Sequence, residues 1–389
     1  MRRSPRHLLP LLLLCAALPA FAACGAEEPP GEAEGPITRV ADMAEACADC
    51  TLDTRVVARI GTAEGDGALP RSPDGMARDG MGRYWLVYHR QTAMVFDADG
   101  AFLQTVGLTG AGPGEFQVPD HALRVADSIA IFDAGSGMHV YGPDLAWVRT
   151  AAMSRAQVQD ATVMAWPTTV AVTHSPLQVR YGPRALLLDL SGERAVVRDT
   201  LILGEPFGPM TSDMESRSYL VAAAGDGSVW TTGAGTYRLV RRAADGTVLQ
   251  GLRPESSWLP DGSSGLGGGP GNAPNARIAD LWTDDRDRVW VLGHVAREDW
   301  REAWEGHALP EGGRGAVAAV PPSAVPPQHA RYQTIVDVWD PAAGRLLVSR
   351  RYDGYANQML DDGSLVVYTE EGVGYPVLEI VALTLEGGG

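Results

Sequence analysis

From Thr51 onward the apolar positions come in short runs rich in Val, Leu, Tyr and Trp, and each run ends in a Gly/Asp turn. Runs of this length and composition, punctuated in this way, are strands rather than helices. The clearest stretch is Val95 to Pro119, V-F-D-A-D-G-A-F-L-Q-T-V-G-L-T-G-A-G-P-G-E-F-Q-V-P. Asp97-Ala98-Asp99-Gly100 separates two apolar runs and predicts a tight hairpin turn, the Asp side chains bonding nearby backbone amides and Gly100 taking positive φ. Gly110-Ala111-Gly112-Pro113-Gly114 then predicts a sharp crossing into a new unit.

The pattern repeats. Gly82–Tyr88, Ala93–Gly100 and Ala101–Val106 form a first unit, and Asp127–Phe132, Gly137–Gly142 and Leu145–Arg149 a second. A third spans Thr169–Val197 and a fourth Asp226–Leu249. A fifth begins at Asp287, resumes at Ile335 after an insertion and ends at Val348, and the sixth runs from Asp362 to Leu383. Units of this size with three or four strands each predict propeller blades. The sixth unit lacks an outermost strand, and Thr54–Ile60 is a strand with no unit of its own. Pairing the two would close the ring and remove an exposed sheet edge at the seam.

Residues Gly75 to Pro119 resemble an NHL repeat and the start of the next, through the F-D-x-D-G-x-F-L turn and the G-x-G-P-G-E-F-x-x-P crossing. The chain as a whole is similar to NHL-like six-bladed β-propeller lipoproteins. The expected fold is therefore all-β, a six-bladed β-propeller over residues 51–389 closed by an N-terminal strand in the last blade. The resemblance also implies an enzymatic option, since propeller lactonases and lyases hold a divalent ion in the central channel with side chains from innermost strands.

The first residues read differently. Arg2, Arg3 and Arg6 precede an apolar run from Leu8 to Leu18, an export signal too short to span a bilayer comfortably. Ala20-Phe21-Ala22 fits a signal peptidase site. Phe21-Ala22-Ala23-Cys24 resembles a bacterial lipobox, with Phe21 where that pattern has Leu, and would make Cys24 the lipidated first residue of the mature chain. Residues 24–50 follow as an acidic, Pro/Gly-rich tether, which is what an anchored protein needs. Residues 1–23 are then the signal peptide. Gly25 after the cysteine lacks the Asp linked to inner-membrane retention in the lipoproteins this resembles, so the expected location is periplasmic or outer-membrane.

Cys47-Ala48-Asp49-Cys50 is a C-x-x-C. Thr51 stands where a c-type haem site needs His, no second Cys/His pair suits zinc, and no βαβ context suits a redox motif. A local disulfide pinning the tether to the folded domain is the expected role.

Charge narrows the partners. The formal net charge is −16 and the chain contains no lysine, which argues against nucleic acid and excludes Schiff-base and Ser-Lys chemistry. The histidines of the mature chain are 89, 121, 139, 174, 294, 307 and 329, with no H-x-H or H-x-x-x-H pair. There is no G-x-S-x-G elbow and no P-loop, although Gly262–Gly271 is glycine-rich. Asp284-Asp285-Arg286-Asp287 lacks EF-hand spacing and reads as a hairpin turn.

Strand parity places blade-to-blade crossings on the same face as the loops joining each blade's second and third strands. Two insertions, around Gly262–Asn272 and from Ala296 to Arg331, should therefore share the face that carries Gly110–Pro119. Arg297–Gly306 predicts a short helix with Trp300 and Trp304 on one side, either packed on the propeller or forming a lid. Asp120 and His121 lie near the channel mouth, and Arg78, Asp79 and Arg124 lie in or beside innermost strands. These seven side chains are the candidate ligand-binding residues. The function expected is a non-enzymatic binding module of the cell envelope, its partner a protein, peptide or glycan and its only membrane contact the lipid anchor. The alternative is a channel hydrolase or lyase. No cofactor is identified, and a divalent cation in the channel belongs to the alternative.

Overall fold

In the computed structural model the described residues are 37–40, 47, 49–153, 161–166, 169–174, 184–202, 219–254, 258–260, 272–305, 325–372 and 374–387. The signal segment, Cys24, the first part of the tether and the Gly262–Gly271 loop lie outside them.

The chain is an all-β propeller. Two strands precede the repeating part, β1 (Ile37–Val40) and β2 (Thr51–Ile60). The first sheet is a meander of β3 (Gly75–Arg78), β4 (Tyr84–Val87), β5 (Ala93–Phe96) and β6 (Phe102–Val106). Two short parallel pieces, β7 (Leu108–Thr109) and β8 (Glu115–Phe116), flank the glycine crossing. The second sheet is β9 (Pro119–Val125), β10 (Ser128–Asp133), β11 (Gly137–Tyr141) and β12 (Trp147–Ala152). The third is β13 (Ala161–Trp166), β14 (Thr169–His174), β15 (Arg184–Asp189) and β16 (Val196–Ile202).

The fourth sheet holds β17 (Tyr219–Ala223), β18 (Val229–Gly233), β19 (Thr236–Arg242) and β20 (Val248–Pro254). The fifth holds β21 (Arg277–Thr283), β22 (Val289–Ala296), β23 (Tyr332–Asp340) and β24 (Arg345–Tyr352), with a one-turn helix α1 (Gln328–Arg331) before β23. The sixth consists of β25 (Tyr355–Met359), β26 (Leu365–Glu371) and β27 (Tyr375–Glu386), with β2 as its fourth strand. β2 pairs antiparallel with β27 from Thr51↔Glu386 to Ile60↔Leu378.

The middle strands β4 and β22 are buried on both faces, which is why Tyr84–Val87 and Val289–Leu292 read as continuous apolar runs. The apolar cores lie between neighbouring sheets. Trp85, Val95, Phe116 and Ile131 fill the space between the first and second, and Trp230, Leu239, Val291 and Trp339 that between the fourth and fifth. β2 contributes at both ends. Ile60 joins Tyr84, Leu86 and Phe96 of the first sheet, while Leu52 joins Trp290 and Val336 of the fifth.

Two glycines of the Val95–Pro119 stretch have distinct reasons. Gly100 has φ of 92°, and a Cβ there would sit 2.1 Å from the Arg59 carbonyl oxygen, so the hairpin turn rests against the β2 backbone. Gly107 has φ of 72° and faces the Phe116 ring. The crossing itself is held by Asp133, a fully buried carboxylate that accepts from the backbone N–H groups of Gln117, Val118 and Gly135 at 2.6, 3.0 and 2.7 Å.

Two features differ from the sequence expectation. Residues 37–40, assigned to the tether, form β1, which adds in parallel to the outer edge of β20 with Ile37 opposite Gly251. The alternating, β-branched Ile-Thr-Arg-Val suits an edge strand, and the open edge of β20 supplies the unpaired backbone groups. Arg297–Gly306 forms no α-helix among its described residues. Turns lead into a single 3-10 turn at Glu302–Trp304, whose cap residue makes no side-chain bond. Between β1 and β2 lie Cys47 and Cys50, joined as a disulfide with Cα atoms 5.2 Å apart and packed against the Leu52 cluster.

Candidate functional site

The innermost strands of different sheets form no ladder with one another, so their backbone groups must find partners across the gaps. Side chains supply them. Thr283 at the end of β21 donates its hydroxyl to the Ala223 carbonyl at the end of β17. Asp280 of β21 accepts the Met359 N–H of β25 at 2.8 Å. Gln358 of β25 clasps Met76 of β3 through both its amide groups, accepting from the N–H at 3.1 Å and donating to the carbonyl at 2.6 Å. Between β3 and β9 the approach is closer still. A Cβ on Gly75 would lie 2.6 Å from the Asp120 carbonyl oxygen and 2.7 Å from the His121 Cα.

These strands enclose a cavity of about 480 Å³ running along the axis of the propeller. Its wall includes Gly75 and Met76, His121 and Arg124, Leu220, Asp280, and Asn357 to Asp361. A second cavity, about 450 Å³, opens beside it and is lined by Arg71, Gln328, His329, Tyr355, Tyr368 and Glu370 among others. Asp74, Asn357 and Gln358 line both. The second cavity thus joins the mouth of the channel to the return of the large fifth-sheet insertion, at Pro327–His329.

The electrostatics of the channel centre on Asp280. Its carboxylate receives two backbone N–H groups, Leu281 and Met359, both at 2.8 Å. It keeps some accessible surface within the channel, yet protein surrounds it on every side. Burial pushes its pKa up to about 6, against the opposing effect of the two N–H bonds and a small contribution from the charge of His121. His121 sits at the mouth with Nδ1 3.0 Å from Asp120 Oδ2, off the axis of a well-formed hydrogen bond. Burial acts to raise the Asp120 carboxyl, but the positive side of His121 and the charge of His89 outweigh it and hold it below its ordinary value. Asn357 donates its amide to the Ser72 hydroxyl, while its own Oδ1 is a buried acceptor with no protein partner.

The second cavity has an ordered polar wall. Asp74 is held by Arg71 through two bonds of 3.0 and 2.5 Å and by the His89 N–H at 2.6 Å. The Gln328 side-chain oxygen accepts from Arg277 at 2.6 Å and from the Tyr355 hydroxyl. Behind Tyr355 lies His294, 1% exposed, its ring 4.6 Å from that of Tyr355. Burial, helped by the charge of Arg277, lowers its pKa to about 3. Arg277 Nε lies 3.3 Å from His294 Nδ1, so the neutral ring accepts there and donates from Nε2 to the Ala356 carbonyl at 2.8 Å. Across the cavity His329 stacks on Tyr368 at 4.9 Å and approaches Glu370 at 3.5 Å.

Of the residues singled out in the sequence, His121 and Arg124 line the channel. Asp120 supports His121 at the mouth. Arg78 turns to the far end, bonding Asp362 at 2.6 Å and stacking over Tyr84 at 5.4 Å. Asp79 does not line the cavity. It is 5% exposed and accepts from the N–H groups of Met81 and Arg83, from Arg83 Nε and from Trp85 Nε1, which is the work of a turn. Trp300 and Trp304 are 4% and 8% exposed and line neither cavity, in keeping with packed side chains rather than a lid. The sequence reading passed over Asp280, Asn357 and Gln358. Each sits on an innermost strand, and no local motif marks them.

No family model matches the sequence, and no curated protein does either. Solved structures do match in fold. A member of the DUF4221 family from Bacteroides vulgatus superposes with a TM-score of 0.57 at 10% identity, covering 86% of this chain and 98% of that one. A Bacteroides fragilis protein described by its inferred export gives 0.51 at 13% identity, covering 90% and 99%. At these identities the likeness concerns the propeller fold alone.

Proposed function

We propose that this is an exported, lipid-anchored binding module of the bacterial cell envelope, an NHL-like propeller of six blades closed into a ring. Its ligand, a protein, peptide or glycan, is held where the two cavities meet. That junction, at Asp74, Asn357 and Gln358, is the observation that carries the reading. Two features support ring closure: the pairing of β2 with β27, and the Gln358 clasp from β25 to β3. Export and anchoring rest on the signal segment and on Cys24, with outer-membrane attachment following from Gly25. Mass spectrometry of the mature protein should find a diacylated Cys24, and an unmodified start at Ala23 would reject the anchor.

The binding site has its own test. Asn357→Trp would fill the junction while leaving the sheets intact. Peptide and glycan fragments of the envelope that bind the wild type by ligand-observed NMR should lose at least tenfold in affinity to this variant. Equal binding to both would move the site elsewhere.

A channel enzyme is the second reading, favoured by Asp280, whose pKa of about 6 suits proton transfer near neutral pH. Among the described residues no group of three His, Cys, Asp or Glu stands close enough to hold a metal. A stoichiometric, chelator-sensitive divalent ion in purified protein would favour the enzyme.

A further inference from the structure

The channel wall is unbalanced in a way that points to a class of ligand. Asp280 uses one lone pair on each oxygen for a backbone N–H, which leaves further acceptor capacity directed into the cavity. Asn357 Oδ1, at the junction with the second cavity, is another acceptor without a partner. Between these polar points the wall is largely innermost-strand backbone with the half-buried Leu220, since Met76, Leu123 and Met359 turn into the cores between sheets. A volume of about 480 Å³ lies in the range of small-molecule sites.

The charges around Asp280 do not neutralise it. From β9 come His121, Asp120 and Arg124. Arg124 is directed toward Asp361, 3.6 Å away, and toward the Ala126 carbonyl. Ahead of β3 stands Asp74, already paired with Arg71. Beyond β25 lies Asp361. On its own strand Arg277 engages His294 and Gln328. β17 carries no charged residue, and β22 offers His294, which is neutral. Acceptors and carboxylates therefore prevail among the described lining, and a buried carboxylate without a cation is costly unless one arrives.

We propose that the channel receives a small protonated primary amine, its ammonium group on the Asp280 carboxylate and its short alkyl part in the remaining volume of the cavity. An anionic ligand would meet Asp280 and Asp361 with like charge. A neutral alcohol could donate one hydrogen bond but would leave the carboxylate without a counter-charge. The ammonium group supplies both charge and several donors, enough to reach Asp280 and still satisfy a second acceptor. This assignment rests on the channel being the binding site, as proposed above.

The test uses the intact protein and n-butylammonium, with 1-butanol and butyrate as neutral and anionic matches of similar size. Titration calorimetry at pH 7.5 and low salt should show n-butylammonium bound at least tenfold more tightly than 1-butanol, and butyrate not bound. Lowering the pH should weaken n-butylammonium binding about tenfold per unit below pH 6, as protons compete for Asp280. Asp280→Asn should abolish the preference for the ammonium ion. That variant turns one amide nitrogen toward a backbone N–H and can fail to fold, in which case the pH series on the wild type decides. Equal affinity for 1-butanol, no binding of n-butylammonium, or binding unchanged between pH 7.5 and 5 would each overturn the proposal. If the amine fails while Asn357→Trp still abolishes binding of an envelope fragment, only the ligand class is refuted.

Discussion

Asp79 and Trp85 belong to a seven-residue device that the chain uses twice. In D-G-M-G-R-Y-W, from Asp79 to Trp85, the carboxylate receives the Arg83 guanidinium at 2.7 Å and the Trp85 indole at 3.0 Å. In D-D-R-D-R-V-W, from Asp284 to Trp290, the same bonds recur at 2.6 and 3.0 Å. The fourth sheet carries A-G-D-G-S-V-W from Ala224 to Trp230, with Ala where the carboxylate should be, and there the buried Trp230 Nε1 has no hydrogen-bond partner. Removing a bonded indole N–H and removing an unbonded one should therefore differ. Trp85→Phe is expected to cost about 1–2 kcal/mol more than Trp230→Phe, the worth of a bond to a charged acceptor against relief of an unmet donor. Urea unfolding of the two variants measures the difference, and equal costs would contradict it. Asp284 was legible as a hairpin turn from its sequence. Asp79 was not, because its partners Arg83 and Trp85 look like ordinary strand residues until the turn folds them back.

At the scale of the strand, the inner wall depends on close approach rather than on regular pairing. β3 meets β9 at Gly75, where a methyl group would press on three backbone atoms of Asp120, His121 and Ala122 within 3.1 Å. Backbone cannot yield as a flexible side chain can, so Gly75→Ala should force the two strands apart. The expected cost is about 2–3 kcal/mol in urea unfolding, within the range for overpacked sites. The amide resonances of His121 and Ala122 should shift while those of the distant β19 stay in place. The hairpins and the crossing were readable because turn chemistry is local, as at Asp97–Gly100 and Gly110–Gly114. The site was much less so. Asp280 owes its character to burial and to the Met359 N–H from another sheet, neither of which has a signature in the residues around it. β1 was hidden for a similar reason, since four residues become a strand only against the edge of β20.

For the whole molecule, the outermost strand of the sixth sheet behaves as core. Ile60 is 0% exposed and Leu52 is 1% exposed, and they enter two different apolar clusters at opposite ends of β2. Leu52→Ala and Ile60→Ala should each cost about 2–5 kcal/mol, as buried large-to-small changes do, although edge strands are commonly tolerant. A cost below about 1 kcal/mol for both, measured by urea unfolding, would show that β2 is dispensable. The sequence made this strand visible over Thr54–Ile60 as one without a unit; the structure extends it back to Thr51 and buries Leu52, Ala58 and Ile60 while Val56 stays exposed.

The partner of β2 is the last strand of the described chain, and this sets an order in time. During synthesis β2 emerges before any of the sheets, yet its hydrogen-bonding partner is made after all of them. Until then the Arg59 backbone that the Gly100 turn rests on has no fixed place, and the first sheet is assembled against a missing neighbour. The seam should be the slowest contact to form, because it spans nearly the whole sequence. A nascent chain would thus carry β2 unpaired, and open to proteases, until β27 has been made.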